Sequence, residues 1–321
     1  TPKPSSAASD VYKRQVKSLK ILEVFFKGNR IRLYHLIGNA VFVLQLVFVV
    51  GMWLNPDAFF RLTNGGEEAR LGGVMMNPNE LGMLAGVGVA CLIFDLYDAK
   101  RKIIPVLKIL VILYALFMTG SRSSLVGVLL ITFFHINQTK KRGLKLAVIG
   151  MVLLVTPFAV QQIILKGGDK ARMEEVLTLT GRLPFWQALI NEGLPREPML
   201  GFGFMRIDYK EYFQSTHTYP GKMTHNTFMQ VLMNLGFIGL ILVIFQMFFT
   251  IRGILSMETK NRLVLIGVLI PILINSFTEF GIFGENNYGI LFYQIIFFWI
   301  SLQPNIYLSL IHISEPTRPL Y

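Results

Sequence analysis

Cysteine is almost missing. Cys91 is the one cysteine in 321 residues and lies inside an apolar run, so no intramolecular disulfide can form and no Cys-based metal or redox motif is present. Charge is scarce too: 16% of the residues are Asp, Glu, Lys or Arg, against roughly a quarter in an ordinary soluble domain. Internal repeats of solenoid or propeller type and low-complexity segments are both lacking, which removes repeat scaffolds and compositional linkers from consideration. Acidic residues are the scarcer sign, 19 against 31 Lys and Arg, for a net charge of +12. That surplus is not a nucleic-acid footprint. The basic residues sit in short clusters between apolar runs, where they act as topology signals, and this argues against nucleic acid as a partner.

What the chain has in plenty is hydrophobic residues, 53% of all positions, gathered in runs of the length that an α-helix needs to cross about 30 Å of hydrocarbon. Reading these runs against the charged breaks predicts eight spans, at about 36–54, 80–97, 103–119, 122–137, 144–163, 225–249, 263–278 and 287–301. The expected fold is therefore all-α, a polytopic helical membrane protein. Basic clusters precede span one (Lys13 to Arg32) and follow span two (Lys100, Arg101, Lys102), span four (Lys140, Lys141, Arg142, Lys145) and span six (Arg252, Lys260, Arg262). All four fall on one side, which the positive-inside rule assigns to the cytoplasm, and loops 55–79, 120–121, 164–224 and 279–286 then face out.

The expected organisation is spans one to five over 16–163, a large external loop over 164–224 and spans six to eight over 225–303. The stretches 1–15 and 308–321 read as adapter-derived, from Ser9-Asp10-Val11-Tyr12-Lys13-Arg14-Gln15 and from Leu308 to Pro319. The natural protein is accordingly expected to be longer, with spans missing at the N-terminus, and His312 carries no functional weight.

Within the external loop, Thr180-Gly181-Arg182-Leu183-Pro184 reads as a helix start, because Thr caps and Pro is tolerated in the first turn. Phe185, Trp186, Leu189 and Ile190 share one face at helical spacing, as expected of a helix on the membrane surface or on the bundle, and Pro195, Pro198, Gly201 and Gly203 end it.

Three polar groups stand at outward-facing helix starts: Arg122 in Thr119-Gly120-Ser121-Arg122-Ser123-Ser124, Arg182 in the loop, and His225 in Thr224-His225-Asn226. Unpaired N–H groups at a helix N-terminus, together with an arginine that binds two oxygens at once, suit phosphate or pyrophosphate. A histidine at such a start is biased by the dipole toward the neutral ring that accepts a proton, the property of a general base. Each has a plainer reading beside this one. Arg122 also fits a headgroup anchor, Arg182 a solvated side chain, His225 an interfacial histidine, and Asn77-Pro78-Asn79-Glu80 a turn and cap. Glu279, Glu285 and Tyr288 are candidates for sugar hydroxyls; Trp186, Tyr209, Tyr212 and Tyr219 suit stacking on sugar rings or residence at the interface.

Taken together, the order of these pieces resembles the O-antigen ligase and Wzy-type polysaccharide polymerase superfamily. The resemblance covers roughly residues 70 to 300. It rests on Asn77-Pro78-Asn79 opening a span, Thr119-Gly120-Ser121-Arg122-Ser123, Gly181-Arg182 followed by Trp186, the turn Pro198-Met199-Leu200-Gly201-Phe202-Gly203, and His225-Asn226 leading into Asn234-Leu235-Gly236-Phe237-Ile238-Gly239. It implies a GT-C-like glycosyltransferase in the bacterial inner membrane, inverting, without metal or cofactor, whose site faces away from the cytoplasm. The donor would be an undecaprenyl-pyrophosphate-linked oligosaccharide, with membrane lipid as surroundings and a polysaccharide chain-length regulator as a further candidate partner. Arg122 and Arg182 would hold the donor pyrophosphate and His225 would be the base, while Asn79, Trp186, Asn226 and Glu279 are candidates for binding substrate. Such proteins usually have ten or more spans, against eight here.

Polymerase is preferred over ligase because it demands no particular acceptor. The reading from a different class is a lipid-linked glycan flippase, which expects ionisable groups near the midplane, whereas these lie at one surface. A scaffold whose loop binds a partner would not need His225.

Overall fold

The computed structural model describes residues 30–63, 68–98, 100–138, 182–203 and 224–279, with the isolated positions 142, 146, 149 and 150. The predicted span 287–301, nearly all of 144–163, both terminal stretches, and Tyr209, Tyr212, Tyr219, Glu285 and Tyr288 lie outside the described residues.

The apolar runs form helices. They are α1 (Arg30–Leu54), the short α2 (Pro56–Phe59), α3 (Pro78–Asp98), α4 (Ile103–Thr119) and α5 (Arg122–Gln138), then α6 (Arg182–Ala188), α7 (Thr227–Leu255) and α8 (Thr259–Thr278). Six of these fall on six of the eight predicted spans. Four, α1, α3, α7 and α8, are long and apolar enough to cross a bilayer, and α4 is a shorter apolar helix. The chain is thus a multi-pass membrane protein.

Helix α3 is the hub, packed against α1, α4, α5 and α8. Its apolar stretch is 78% buried against 33% for those of α1 and α7, so it lies within the bundle while they face the lipid. Two glycines explain how three helices converge: Gly86 of α3 and Gly127 of α5 both face Pro271 of α8, and a Cβ at Gly86 would meet the proline ring at 2.8 Å. Small residues of this kind let helices approach closely where lipid provides no hydrophobic drive. Polar groups tie the helices as well. Gln45 of α1 donates to the Leu81 carbonyl at 2.8 Å, Lys108 of α4 donates to Asn39 of α1 at 2.5 Å, and His35 of α1 pairs with Asp95 of α3.

One feature departs from an all-helical reading. Strands β1 (Phe60–Thr63) and β2 (Glu68–Leu71) pair antiparallel, with Phe60 opposite Leu71 and Arg61 opposite Arg70. This small hairpin occupies the loop after α1 and is anchored by Phe59, Phe60 and Leu71 on a cluster of Phe48, Met52, Leu81 and Ala115. Four residues of alternation in each strand are too few to distinguish from a loop in sequence.

The alternation of helices sorts the connections by end. Asn77 to Asn79, Thr119 to Arg122, Thr224 to Thr227 and Thr278 to Glu279 gather at one end, and Lys100, Arg101, Lys102, Arg252 and Arg262 lie at the other.

Candidate functional site

The site is built from helix ends. Asn77 caps α3, its Oδ1 accepting from the Asn79 N–H at 2.9 Å, with Pro78 in the first helical position, where its missing N–H costs nothing. Helix α4 ends on Gly120 in the left-handed conformation (φ 62°), and Arg122 opens α5 only two residues later, its side chain exposed. Ser121 and Ser124 bond each other at 2.9 Å, and Ser124 lies 3.3 Å from Asn275, fixing this start against α8. Asn226 caps α7 by accepting from the N–H groups of Phe228 and Met229, while its amide donates to the Phe277 carbonyl at 3.1 Å. Between Thr224 and Asn226, His225 adopts φ 48°, the one positive φ outside glycine among the described residues. Such a conformation is uncommon for a side-chain-bearing residue and is several-fold enriched in His, Asn and Asp.

Glu279, which follows α8, is the centre on which the other groups converge. Its Oε2 lies 2.9 Å from His225 Nδ1, and its Oε1 accepts from Arg182 Nη2 at 3.0 Å and from Asn79 Nδ2 at 3.0 Å. Arg182 also donates to the Thr278 carbonyl, so both ends of its fork hold the end of α8. Burial pushes the Glu279 carboxyl up, but the hydrogen bond and charge of His225 and those of Arg182 outweigh it and hold the group below its ordinary value. An ionised carboxylate only accepts, so Nδ1 of His225 carries the hydrogen of this bond. In the neutral ring the lone pair then belongs to Nε2.

Arg70, on β2, joins this network and had no signal in the sequence. Its Nε donates to the Thr119 carbonyl at 2.6 Å and its Nη2 to Asn79 Oδ1 at 2.6 Å. Burial lowers its pKa, the charges of Glu68 and Glu279 oppose this, and nearby Arg122 adds to the lowering; a guanidinium stays charged throughout. A run therefore extends from Arg70 through Asn79 and Glu279 to His225 and Arg182.

Of the residues singled out in sequence, Asn79, Arg182, His225 and Glu279 are in direct contact. Asn226 adjoins them, its polar atoms given to capping and to Phe277. Trp186 donates to the Thr224 carbonyl at 2.7 Å, beside His225. Arg122 stands apart from this cluster but within electrostatic reach of Arg70. The predicted loop helix is α6, with Pro184 in its first turn; Phe185 and Leu189 are buried, Trp186 is half-buried and Ile190 is exposed. Among the described residues, no group of three or more His, Cys, Asp or Glu is placed to hold a metal ion.

No curated protein matches the chain. A sequence model of a protein family does, over residues 107–244, a stretch that includes Arg122, Arg182 and His225 and leaves out Arg70, Asn79 and Glu279. That family is described as O-antigen ligase; the match covers less than half of the chain and supports the O-antigen ligase and Wzy-type superfamily, whose members are glycosyltransferase-like enzymes.

Proposed function

We propose that the chain is an inverting glycosyltransferase that polymerises undecaprenyl-pyrophosphate-linked oligosaccharide repeat units into cell-surface polysaccharide, at the non-cytoplasmic face of the bacterial inner membrane. The observation that carries this reading is the contact of a histidine, a carboxylate and an arginine at one end of the bundle. His225 is the base. With Nδ1 held by Glu279, Nε2 takes the proton of an acceptor sugar hydroxyl as that oxygen attacks the anomeric carbon from the face opposite the leaving group. The bond from that carbon to the pyrophosphate oxygen breaks, and the pyrophosphate leaves on its lipid. Arg122, at the start of α5 with its unpaired N–H groups, and Arg182 stabilise the charge that develops there, the work a metal would otherwise do. Glu279 orients the imidazole and balances the imidazolium that forms.

The ligase alternative uses the same donor, base and leaving group and differs in the acceptor alone. A product assay separates the readings. The protein, reconstituted in lipid with radiolabelled undecaprenyl-pyrophosphate repeat units, is expected to yield a ladder of multiples on a gel, absent in His225→Ala and Arg122→Ala. Label moved once to an added lipid or protein acceptor would make it a ligase. No transfer to any acceptor, with labelled lipid crossing the vesicle membrane, would overturn the enzyme reading in favour of a flippase.

A further inference from the structure

Helix α7 is broken inside its apolar length. Gly236 has φ 63° and ψ −161°, nine residues past Thr227 and so about 13 Å along the helix from the site end. Backbone groups freed by such a break within a membrane have no water to bond and must be satisfied by protein. Here the turn from Pro198 to Gly203 fills the gap. The N–H groups of Phe202 and Gly203 donate to the carbonyls of Met233 and Asn234, both at 2.8 Å, and the N–H groups of Phe237 and Ile238 donate back to Pro198 and Met199 at 2.8 and 3.3 Å. Neither glycine at the splice has room for a side chain. A Cβ on Gly201 would come within 2.6 Å of the α7 backbone at Asn234, Leu235 and Gly236, and one on Gly236 within 2.6 Å of the Pro198 carbonyl.

The splice has a polar connection to the site. Asn234, at the break, accepts from Gln230 Nε2 at 2.9 Å, and Gln230 Oε1 lies 3.1 Å from Thr224 Oγ1 and 3.4 Å from its N–H, one residue before His225. On the loop side, the spliced turn follows α6, which carries Arg182 and whose Trp186 holds the Thr224 carbonyl; Phe202 of the turn and Trp186 pack against one cluster of Phe185, Leu189 and, from α7, Met233. We infer that the Pro198–Gly203 turn locked into the Gly236 break sets the position of His225 relative to Arg182 and Glu279, with Gln230 the positioning residue between the break and the base. This rests on the assignment of His225 as base proposed above.

Gln230→Leu removes both polar ends with little change in size. It is expected to lower kcat by roughly 10²-fold, as a small misplacement of a reacting group does, while leaving KM within about twofold. The rate at which diethyl pyrocarbonate acylates His225 at neutral pH, followed by mass spectrometry of the peptide, is expected to change threefold or more. Gln230→Glu should restore both, since the carboxylate accepts from Thr224 and Asn234 can turn its amide to donate. Normal acylation and normal kcat in Gln230→Leu, or no recovery in Gln230→Glu, would overturn the inference. A parent protein that transfers no sugar would defeat the proposed function, and the acylation rates would still decide whether Gln230 positions His225. Should Gln230→Leu fail to fold, cysteines at Met199 and Ile238 in a Cys91→Ala background give a second reading: oxidation should join them without loss of activity, and failure to join would remove the splice.

Discussion

At the scale of single residues, the three contacts of Glu279 make it the group whose loss should be felt most widely. Glu279→Gln keeps the shape and removes the charge, so Nδ1 of His225 can face an amide donor and the tautomer is no longer fixed. Transfer is expected to fall by about 10² to 10⁴, the range of a general base, in a protein that still inserts and binds donor. The same substitution has a pH signature. The folded carboxyl sits below its ordinary value of 4.5, so its stabilisation is complete above that value and is lost as pH falls through the lower folded one. Thermal unfolding of the detergent-solubilised protein between pH 6 and pH 3 should therefore show a drop in stability in the parent that is smaller in Glu279→Gln, and equal drops would refute the assignment. Arg182, His225 and Glu279 were all legible in sequence, because helix starts and loop ends announce themselves locally. That Glu279 touches both of the others was not, since contacts spanning 97 and 54 residues leave no local trace.

At the scale of elements, the site is held by caps and by the hairpin. Asn226→Ala removes the cap of α7 and its bond to Phe277, and should cost about 0.5–2 kcal/mol in unfolding free energy, the usual range for a lost cap. Arg70→Ala frees β2 from the Thr119 carbonyl and from Asn79 and leaves both acceptors half-buried without their donor. It should cost about 1.5–3 kcal/mol, as bonds to a charged group do, and lower transfer because Asn79 no longer holds Glu279 in place. Arg70→Lys should rescue little, since a single ammonium cannot reproduce the fork that bonds two acceptors at once. Unfolding in denaturant of the three variants beside the parent checks these values. The helices themselves were readable from apolar runs, and α6 from its Pro and apolar face, while the expected cap Thr180 lies outside the described residues. The hairpin and the break in α7 were not. A lone Gly236 in an apolar run is as compatible with a continuous helix, and only the docking of a turn 33 to 38 positions earlier in the chain makes the break affordable to the backbone.

At the scale of the whole molecule, the two ends of the bundle differ in kind. One end gathers Arg70, Arg122, Arg182 and His225 around Glu279 and Asn79, in mutual contact or in electrostatic reach, and the other carries Lys100, Arg101, Lys102, Arg252 and Arg262 on short connections. Charges on short connections orient a membrane protein, because they must stay behind while the chain inserts, whereas Arg70 and Arg182 of the site sit on longer loops and are engaged by protein, which leaves Arg122 as the site arginine on a short connection. The arginine count alone therefore does not orient the chain; the placement of the bonds does. The end with Lys100 to Lys102 should lie in the cytoplasm and the site outside. Leu62, at the exposed tip of β1, and Arg101, between α3 and α4, report on opposite ends. In a Cys91→Ala background, Leu62→Cys should react with a membrane-impermeant maleimide added to intact spheroplasts, and Arg101→Cys only after the membrane is opened. The reverse pattern would place the site in the cytoplasm, where an acceptor glycan on the outer face of the membrane could not reach His225, and would remove the polymerase and the ligase together.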